Sequence, residues 1–184
     1  MYNLELIKMN KDDMEKVRFW RMLPQVTKYM YSDPKITLVG QLEWFKKIAQ
    51  DKTSKYWVIT FNNIKIGVLN FYDIDIKNKK CNWAYYIGDM SFRGKRIGYN
   101  LECNIYDFVF YTLNFNKLSC EIFKWNEKVI KLHDRIGAKI EGEFKEHIKK
   151  NDEYFTIIKM SMLKNEWDTI RKQHDYKKIK IEVI

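Results

Sequence analysis

Proline and glycine are nearly missing from this chain. There are two prolines, Pro24 and Pro34, and seven glycines in 184 residues. Long flexible linkers need more of both, so ordered elements joined by short turns are expected. Cysteine is scarce as well. Cys81, Cys103 and Cys120 are odd in number and form no C-x-x-C pair, which points to a reducing, cytoplasmic setting rather than a disulfide framework; no metal site is expected. No stretch approaches the roughly 20 apolar residues of a membrane helix. The first thirteen residues mix acids with hydrophobics and lack an apolar core, so no secretory leader is expected there. Internal repeats and low-complexity tracts are also missing.

What is present describes a packed, basic domain. Hydrophobic residues make up 46% and aromatics 16% of the chain, enough for a substantial core at this length. The net charge is +10. Nucleic acid, an anionic membrane surface or a phosphate-rich small ligand would each match that charge. Lysine and arginine are spread along the chain rather than gathered in one run, the usual mark of a solvated surface. Helix-turn-helix, zinc and RNP-like signatures are lacking, so a nucleic-acid-binding module is the distant alternative and no nucleic-acid partner is expected.

Hydrophobic periodicity lays out the elements. A short first strand surrounds Leu4 and Leu6. Asn10 caps a helix reaching Arg21, and a second helix covers Leu38 to Gln50 after a loop with both prolines. Strands are expected over Lys55–Phe61 and Ile64–Asp75, joined at Asn62-Asn63, a pair that tolerates positive φ. Asn82–Gly88 reads as a strand, Arg96–Tyr111 as an amphipathic helix and Leu118–Phe123 as a strand. A helix opened by Asn126 stops at Gly137, and strands over Ala138–Ile148 and Tyr154–Met162 follow. The order is β-α-α-β-β-β-α-β-α-β-β: residues 1–163 as one α/β domain and residues 164–184 as a C-terminal extension. A helix, a dimer contact and a mobile tail all remain open for that extension.

The most informative stretch is a strand ending near Gly88, then Arg93-Gly94-Lys95-Arg96-Ile97-Gly98, then a helix. Free backbone N–H groups at a helix start and the helix dipole favour an anion there. Gly94 and Gly98 allow close approach of backbone to phosphate oxygens. Arg93, Lys95 and Arg96 add full charges. This stretch resembles the cofactor element of the GNAT superfamily, Q/R-x-x-G-x-G/A, with Arg96 where the family usually has its first glycine. A second element, Asn126-Glu127-Lys128-Val129-Ile130-Lys131-Leu132-His133-Asp134-Arg135-Ile136-Gly137-Ala138, is similar to that family's N-x-x-A-x-x-L-Y-x-K-x-G-F. The resemblance implies a GNAT fold: a central mixed, mostly antiparallel seven-stranded sheet, splayed in the middle and flanked by helices. It implies acetyl-CoA as the acetyl donor, held by Ile87, Gly88, Asp89, the 93–98 loop and Asn126. Backbone N–H groups near Ile87–Asp89 would polarise the thioester carbonyl. His133 stands where many relatives have a tyrosine that protonates the departing thiolate, with Tyr85 and Tyr86 as substitutes for that role.

The acceptor side is read from Phe19-Trp20-Arg21-Met22-Leu23-Pro24-Gln25-Val26-Thr27-Lys28-Tyr29-Met30-Tyr31-Ser32 together with Gln41. This segment looks like the W/F-R-N-x-P-x-V-x-x-x-M-Y-S segment of the sugar-nucleotide N-acetyltransferases of pseudaminic acid synthesis. Met22 stands in place of the asparagine, and Gln41 where a histidine is frequent. The resemblance implies acetylation of the 4-amino group of UDP-4-amino-4,6-dideoxy-N-acetyl-β-L-altrosamine. Arg21 would meet a diphosphate or sugar hydroxyl, and Met30 and Tyr31 would wall a deoxy-sugar. Trp83 and Tyr85, alternating on the strand, would face the same cleft. A protein N-terminus or a polyamine is the alternative acceptor, and a homodimer is open.

Overall fold

Backbone chemistry at a few turns sets the course of the chain. Asn10 accepts a hydrogen bond from the Asp12 amide at 2.9 Å, and the Asp13 carboxylate accepts from the Asn10 amide at 2.8 Å. This reciprocal cap launches a 3-10 turn, Lys11–Asp13, which runs straight into helix α1. Asn62 and Asn63 both take positive φ, 48° and 65°, and close the expected tight hairpin. Gly137 ends its helix at φ 114°, a left-handed conformation that only glycine adopts without strain.

The computed structural model describes residues 2–183. Strand β1 (Leu4–Lys8) precedes α1 (Met14–Arg21), the one-turn α2 (Pro24–Thr27) and α3 (Leu38–Gln50). Strands β2 (Lys55–Phe61), β3 (Ile64–Asp75) and β4 (Lys80–Ile87) follow. Helix α4 (Ile97–Asp107) continues into a wide π turn over Phe108–Thr112. Then come β5 (Lys117–Phe123), α5 (Glu127–Ile136), β6 (Lys139–Lys150) and β7 (Glu153–Leu163). All seven expected strands are there. The C-terminal residues add α6 (Lys164–Ile170) and an eighth strand, β8 (Lys180–Ile181), which composition alone does not announce. The mixed sheet has the order β6-β7-β5-β4-β3-β2-β1-β8.

The chain forms two compact units. One contains residues up to Ile74, Ala84–Ile97 and Ile179 onward. In it, β2 runs antiparallel to both β1 and β3, and β8 lies parallel to β1 through Glu5↔Lys180 and Leu6↔Ile181. Its helices pack over Met14, Val17, Trp20, Val58 and Val68, with Leu42, Trp44 and Phe45 of α3 partly buried against them. Trp44 and Phe45 therefore pack on the core, as their spacing predicts.

The other unit contains Asp75–Trp83 and Gly98–Lys178. Here β4 pairs in parallel with β5 from Lys80↔Lys117 to Asn82↔Ser119, and β7 pairs antiparallel with β5 and β6. Helix α4 is buried nearly all round, including its polar residues Asn100, Glu102 and Asn104. Residues 164–178 supply their partners. Asn100 accepts from the Lys177 amide, and Asn104 donates to the Lys177 carbonyl. Asp107 receives the Trp167 indole N–H at 3.0 Å, the Tyr176 hydroxyl at 2.5 Å and the Arg171 guanidinium at 2.6 Å, and pairs with Lys178. Of the readings open for the extension, these residues take the helical one, with Trp167 fully buried.

Candidate active site

In the first unit, β4 ends against an immovable neighbour. A Cβ on Gly88 would lie 2.2 Å from Cγ of Trp20, so only glycine lets the strand pass the indole of α1. The amides of Gly88 and Asp89 both donate to the Ile66 carbonyl, at 2.8 and 3.0 Å. This corrects an expectation: the N–H groups of Gly88 and Asp89 are already engaged. Asp89 then accepts from the Ser91 amide and hydroxyl, which turns the chain into a 3-10 turn over Met90–Phe92.

The loop that follows is exposed and alternates in hand. Gly94 has φ 84° and Arg96 has φ 56°, just before α4 begins at the buried Ile97. Left-handed residues beside a helix start turn successive N–H groups inward and build an anion-binding concavity. A side chain at Arg96 takes the conformation that a glycine usually supplies, which keeps the loop's shape while adding a cation. Nothing lies within 4 Å of where a Cβ of Gly94 would stand, so the concavity has open space at that point. The Arg93 guanidinium donates to the Gln25 carbonyl at 3.1 Å, and the Lys95 ammonium lies 4.5 Å above the Phe92 ring. Both cations are thus held near the loop rather than free in solvent. Backbone N–H groups with three cations are a donor set suited to a pyrophosphate.

Arg21, at the end of α1 in the same unit, lies within electrostatic reach of two phenols, Tyr56 and Tyr86. The Tyr86 hydroxyl is buried with no hydrogen-bond partner among the described residues. Burial drives its pKa upward and Arg21 draws it partly back. The Tyr56 phenol is also pushed up by burial, with Trp44 edge-on at 5.1 Å. Tyr56 went unnoticed in the sequence because a tyrosine in a strand reads as β propensity. Met30 is half-buried and Tyr31 exposed, both in the bend after α2. Gln41 is 4% exposed, and its amide faces the Met14 sulfur at 3.6 Å. It is thus packed between α1 and α3, where a solvent-facing position was expected. Tyr85 is half-buried on β4.

In the second unit, Asn126 occupies the N-cap of α5, yet its side chain makes no capping hydrogen bond; the backbone carbonyl alone accepts, from Val129 and Ile130. His133, one helix face along, is 3% exposed, and its Nδ1 lies 2.8 Å from Oε2 of Glu102, itself fully buried. Glu102 Oε1 accepts the Tyr106 hydroxyl at 2.7 Å. Burial is the largest influence on His133 and opposes its charge; the Glu102 carboxylate and the nearby Cys120 outweigh it and hold the imidazole pKa above the ordinary value. Trp83 is 2% exposed and meets the His133 ring edge-on at 5.8 Å. Trp83 therefore packs in the core instead of facing a cleft, because its indole covers the α5 imidazole. Gly98 opens the first turn of α4. Among the described residues no group of three or more His, Cys, Asp or Glu is arranged to hold a metal ion, and no helix is long and apolar enough to cross a membrane.

Comparison with known proteins places this geometry. The model of the acetyltransferase (GNAT) domain matches residues 3–139. The chain is similar to acetyltransferase PseH of Campylobacter jejuni, 28% identical over 138 residues that cover 75% of this chain and 84% of that protein. It is also similar to spermidine N(1)-acetyltransferase of Escherichia coli K12, 21% identical over 90% of this chain and 89% of that one. Among solved structures, spermidine N-acetyltransferase from Vibrio cholerae in complex with CoA and spermine superposes with a TM-score of 0.84 at 19% identity, covering 90% of this chain and 98% of the other. The chain belongs to the GNAT acetyltransferase family, and it is an N-acetyltransferase that takes its acetyl group from acetyl-CoA.

Proposed function

We propose that the acceptor is the 4-amino group of a UDP-linked amino-deoxy sugar, UDP-4-amino-4,6-dideoxy-N-acetyl-β-L-altrosamine or a near relative, used in pseudaminic or related nonulosonic acid synthesis. One observation carries this choice. The acceptor segment, residues 21–50, holds Arg21, Lys28, Lys35, Lys46 and Lys47 against only Asp33 and Glu43. A polycation would be repelled there, whereas a sugar diphosphate is attracted. Arg21 and the unpartnered Tyr86 hydroxyl, with Tyr56, Met30 and Tyr31, supply charge, hydrogen bonding and apolar wall. The similarity to PseH supports the same reading. The similarity to spermidine acetyltransferases motivates a polyamine as the second reading.

Each residue then has a defined task. The 93–98 loop grips the pyrophosphate of the donor, and Asn126 holds its amide-bearing arm. The Ile87 N–H meets the thioester oxygen, and Tyr85 lines the approach of the amine. The amine nitrogen bonds to the acetyl carbon as the carbon–sulfur bond breaks. His133 gives a proton to the departing sulfur and regains one from water, while the new amide nitrogen loses its extra proton to solvent. The domain of residues 1–163 holds these groups, residues 164–178 buttress α4, and the setting is cytoplasmic.

Thiol release from acetyl-CoA tests the acceptor. Turnover with the UDP-4-amino sugar and none with spermidine is expected; spermidine turnover at an equal kcat/KM overturns the sugar reading. Arg21→Ala should raise KM for the sugar nucleotide about tenfold and leave KM for acetyl-CoA alone, the loss of one charge-assisted contact. His133→Phe should lower kcat with acetyl-CoA affinity unchanged, read by steady-state kinetics and calorimetry.

A further inference from the structure

We propose that Glu102 is the positioning residue for His133: its carboxylate keeps Nδ1 of the imidazole protonated, so that Nε2 is the atom that exchanges the proton with the leaving sulfur. The proposal rests on the reading of His133 as the proton donor, and its test separates the two.

The geometry is that of a buried ion pair, with Cys120 as a further neighbour of the imidazole. Glu102 is fully enclosed, and a carboxylate enclosed without compensation is strongly disfavoured. Oε1 accepts the Tyr106 hydroxyl at 2.7 Å, while Oε2 stands at ion-pair distance, 2.8 Å, from Nδ1 of His133 without hydrogen-bond alignment, so charge rather than a formed bond links the two. The groups facing the pair are Tyr106 and Cys103 from α4, Cys120 from β5 and the uncharged Trp83 from β4. His133 is thus the side chain able to neutralise Glu102 from α5. An imidazole has two nitrogens, and the partner of one fixes the state of the other. With Nδ1 committed to Glu102, the imidazolium has a single proton to give, at Nε2; after giving it, the ring is neutral with Nδ1 still protonated and still paired.

A tyrosine at this position would need no such partner, because its hydroxyl carries its own proton at neutral pH. The pairing of His133 with a buried glutamate one helix away supplies what the imidazole lacks. Nothing in a spacing pattern reveals it: Glu102 sits next to Leu101 in a helix that reads as ordinary amphipathic surface.

The experiment is a double-mutant cycle read by kcat and its pH profile. Glu102→Gln should lower kcat at least tenfold with KM for acetyl-CoA within about twofold, and should move the alkaline limb of the kcat profile to lower pH by about one unit or more, since the imidazolium loses its counter-charge. In the His133→Tyr background the same change should alter kcat less than twofold. Equal losses in both backgrounds would mean that Glu102 merely holds the fold, and would overturn the proposal. Full turnover of His133→Phe would instead remove His133 from the chemistry. An NMR titration of the His133 ring nitrogens in the ligand-free protein needs no turnover and decides the matter even if Glu102→Gln does not fold. A ring that stays protonated at Nδ1, with Nε2 titrating above the ordinary 6.5, supports the pairing; titration at or below that value overturns it.

Discussion

Two sets of charges in this enzyme are handled in opposite ways. The 93–98 loop exposes Arg93, Lys95 and Arg96 on a backbone bent into left-handed conformations. Helix α4 encloses Glu102 fully and Asp107 in large part; Tyr106 and His133 face the first, and Trp167, Arg171, Tyr176 and Lys178 gather round the second. Exposed charges in water are individually weak and serve a visiting anion; enclosed charges are costly unless fully matched, so each one fixes its neighbours. The loop can therefore be altered with loss of binding and little loss of fold. The helix cannot.

The largest effect should come from Asp107→Ala, which strips partners from Trp167, Arg171, Tyr176 and Lys178 at once. Leaving the buried Trp167 N–H and the Tyr176 hydroxyl without their acceptor costs up to about 3 kcal/mol, measurable as a shifted urea midpoint. Burial works against ionisation of Asp107, yet Lys178, Tyr176, Arg171 and Trp167 together hold its pKa below the ordinary carboxylate value. Its stabilisation is thus present above about pH 4 and fades as pH falls below that toward the folded-state value. An acid titration of stability should be shallower in Asp107→Asn than in the native chain.

Next in size is Gly88→Ala. The added methyl collides with the Trp20 indole, and overpacking of this kind costs about 2 kcal/mol; thermal melting reads it. Arg93→Ala and Lys95→Ala come third. Each should raise KM for acetyl-CoA roughly tenfold, the loss of one charge-assisted contact, with a melting temperature near that of the parent. Full retention of KM in both would erase the contrast between loop and helix. Smallest is Arg96→Gly. Relief of the left-handed side chain offsets the greater freedom of glycine in the unfolded chain, and stability should change by less than about 1 kcal/mol, while acetyl-CoA binding weakens by calorimetry.

This contrast also explains what could be read from the residues beforehand. Turns and helix ends were legible because local chemistry decides them: Asn62-Asn63, Gly94 and Gly137 all adopt conformations their residue types tolerate, whereas Arg96 takes one its type disfavours. Seven strands followed from period and punctuation. Trp83 and Gln41 were assigned to a ligand-facing surface and are core residues instead, since alternation tells which side of a strand a residue takes but not what covers that side. The engaged amides of Gly88 and Asp89, both bound to the Ile66 carbonyl, depend on a partner strand more than twenty positions away. Glu102, Tyr56 and the partners of Asp107 were invisible for the same reason: their meaning lies in residues far along the chain.

The short strand β8 has a consequence for anyone who trims this protein. Beside it, the Glu182 carbonyl accepts the Trp57 indole N–H at 2.8 Å, and the Glu182 carboxylate accepts the Lys8 amide at 2.6 Å. A chain cut after Lys178 would retain every residue assigned to acetyl transfer, yet would strand a buried indole donor and bare the outer rim of β1. Unsealed strands invite pairing with one another, so the shortened protein should still turn over acetyl-CoA when dilute and precipitate as it is concentrated.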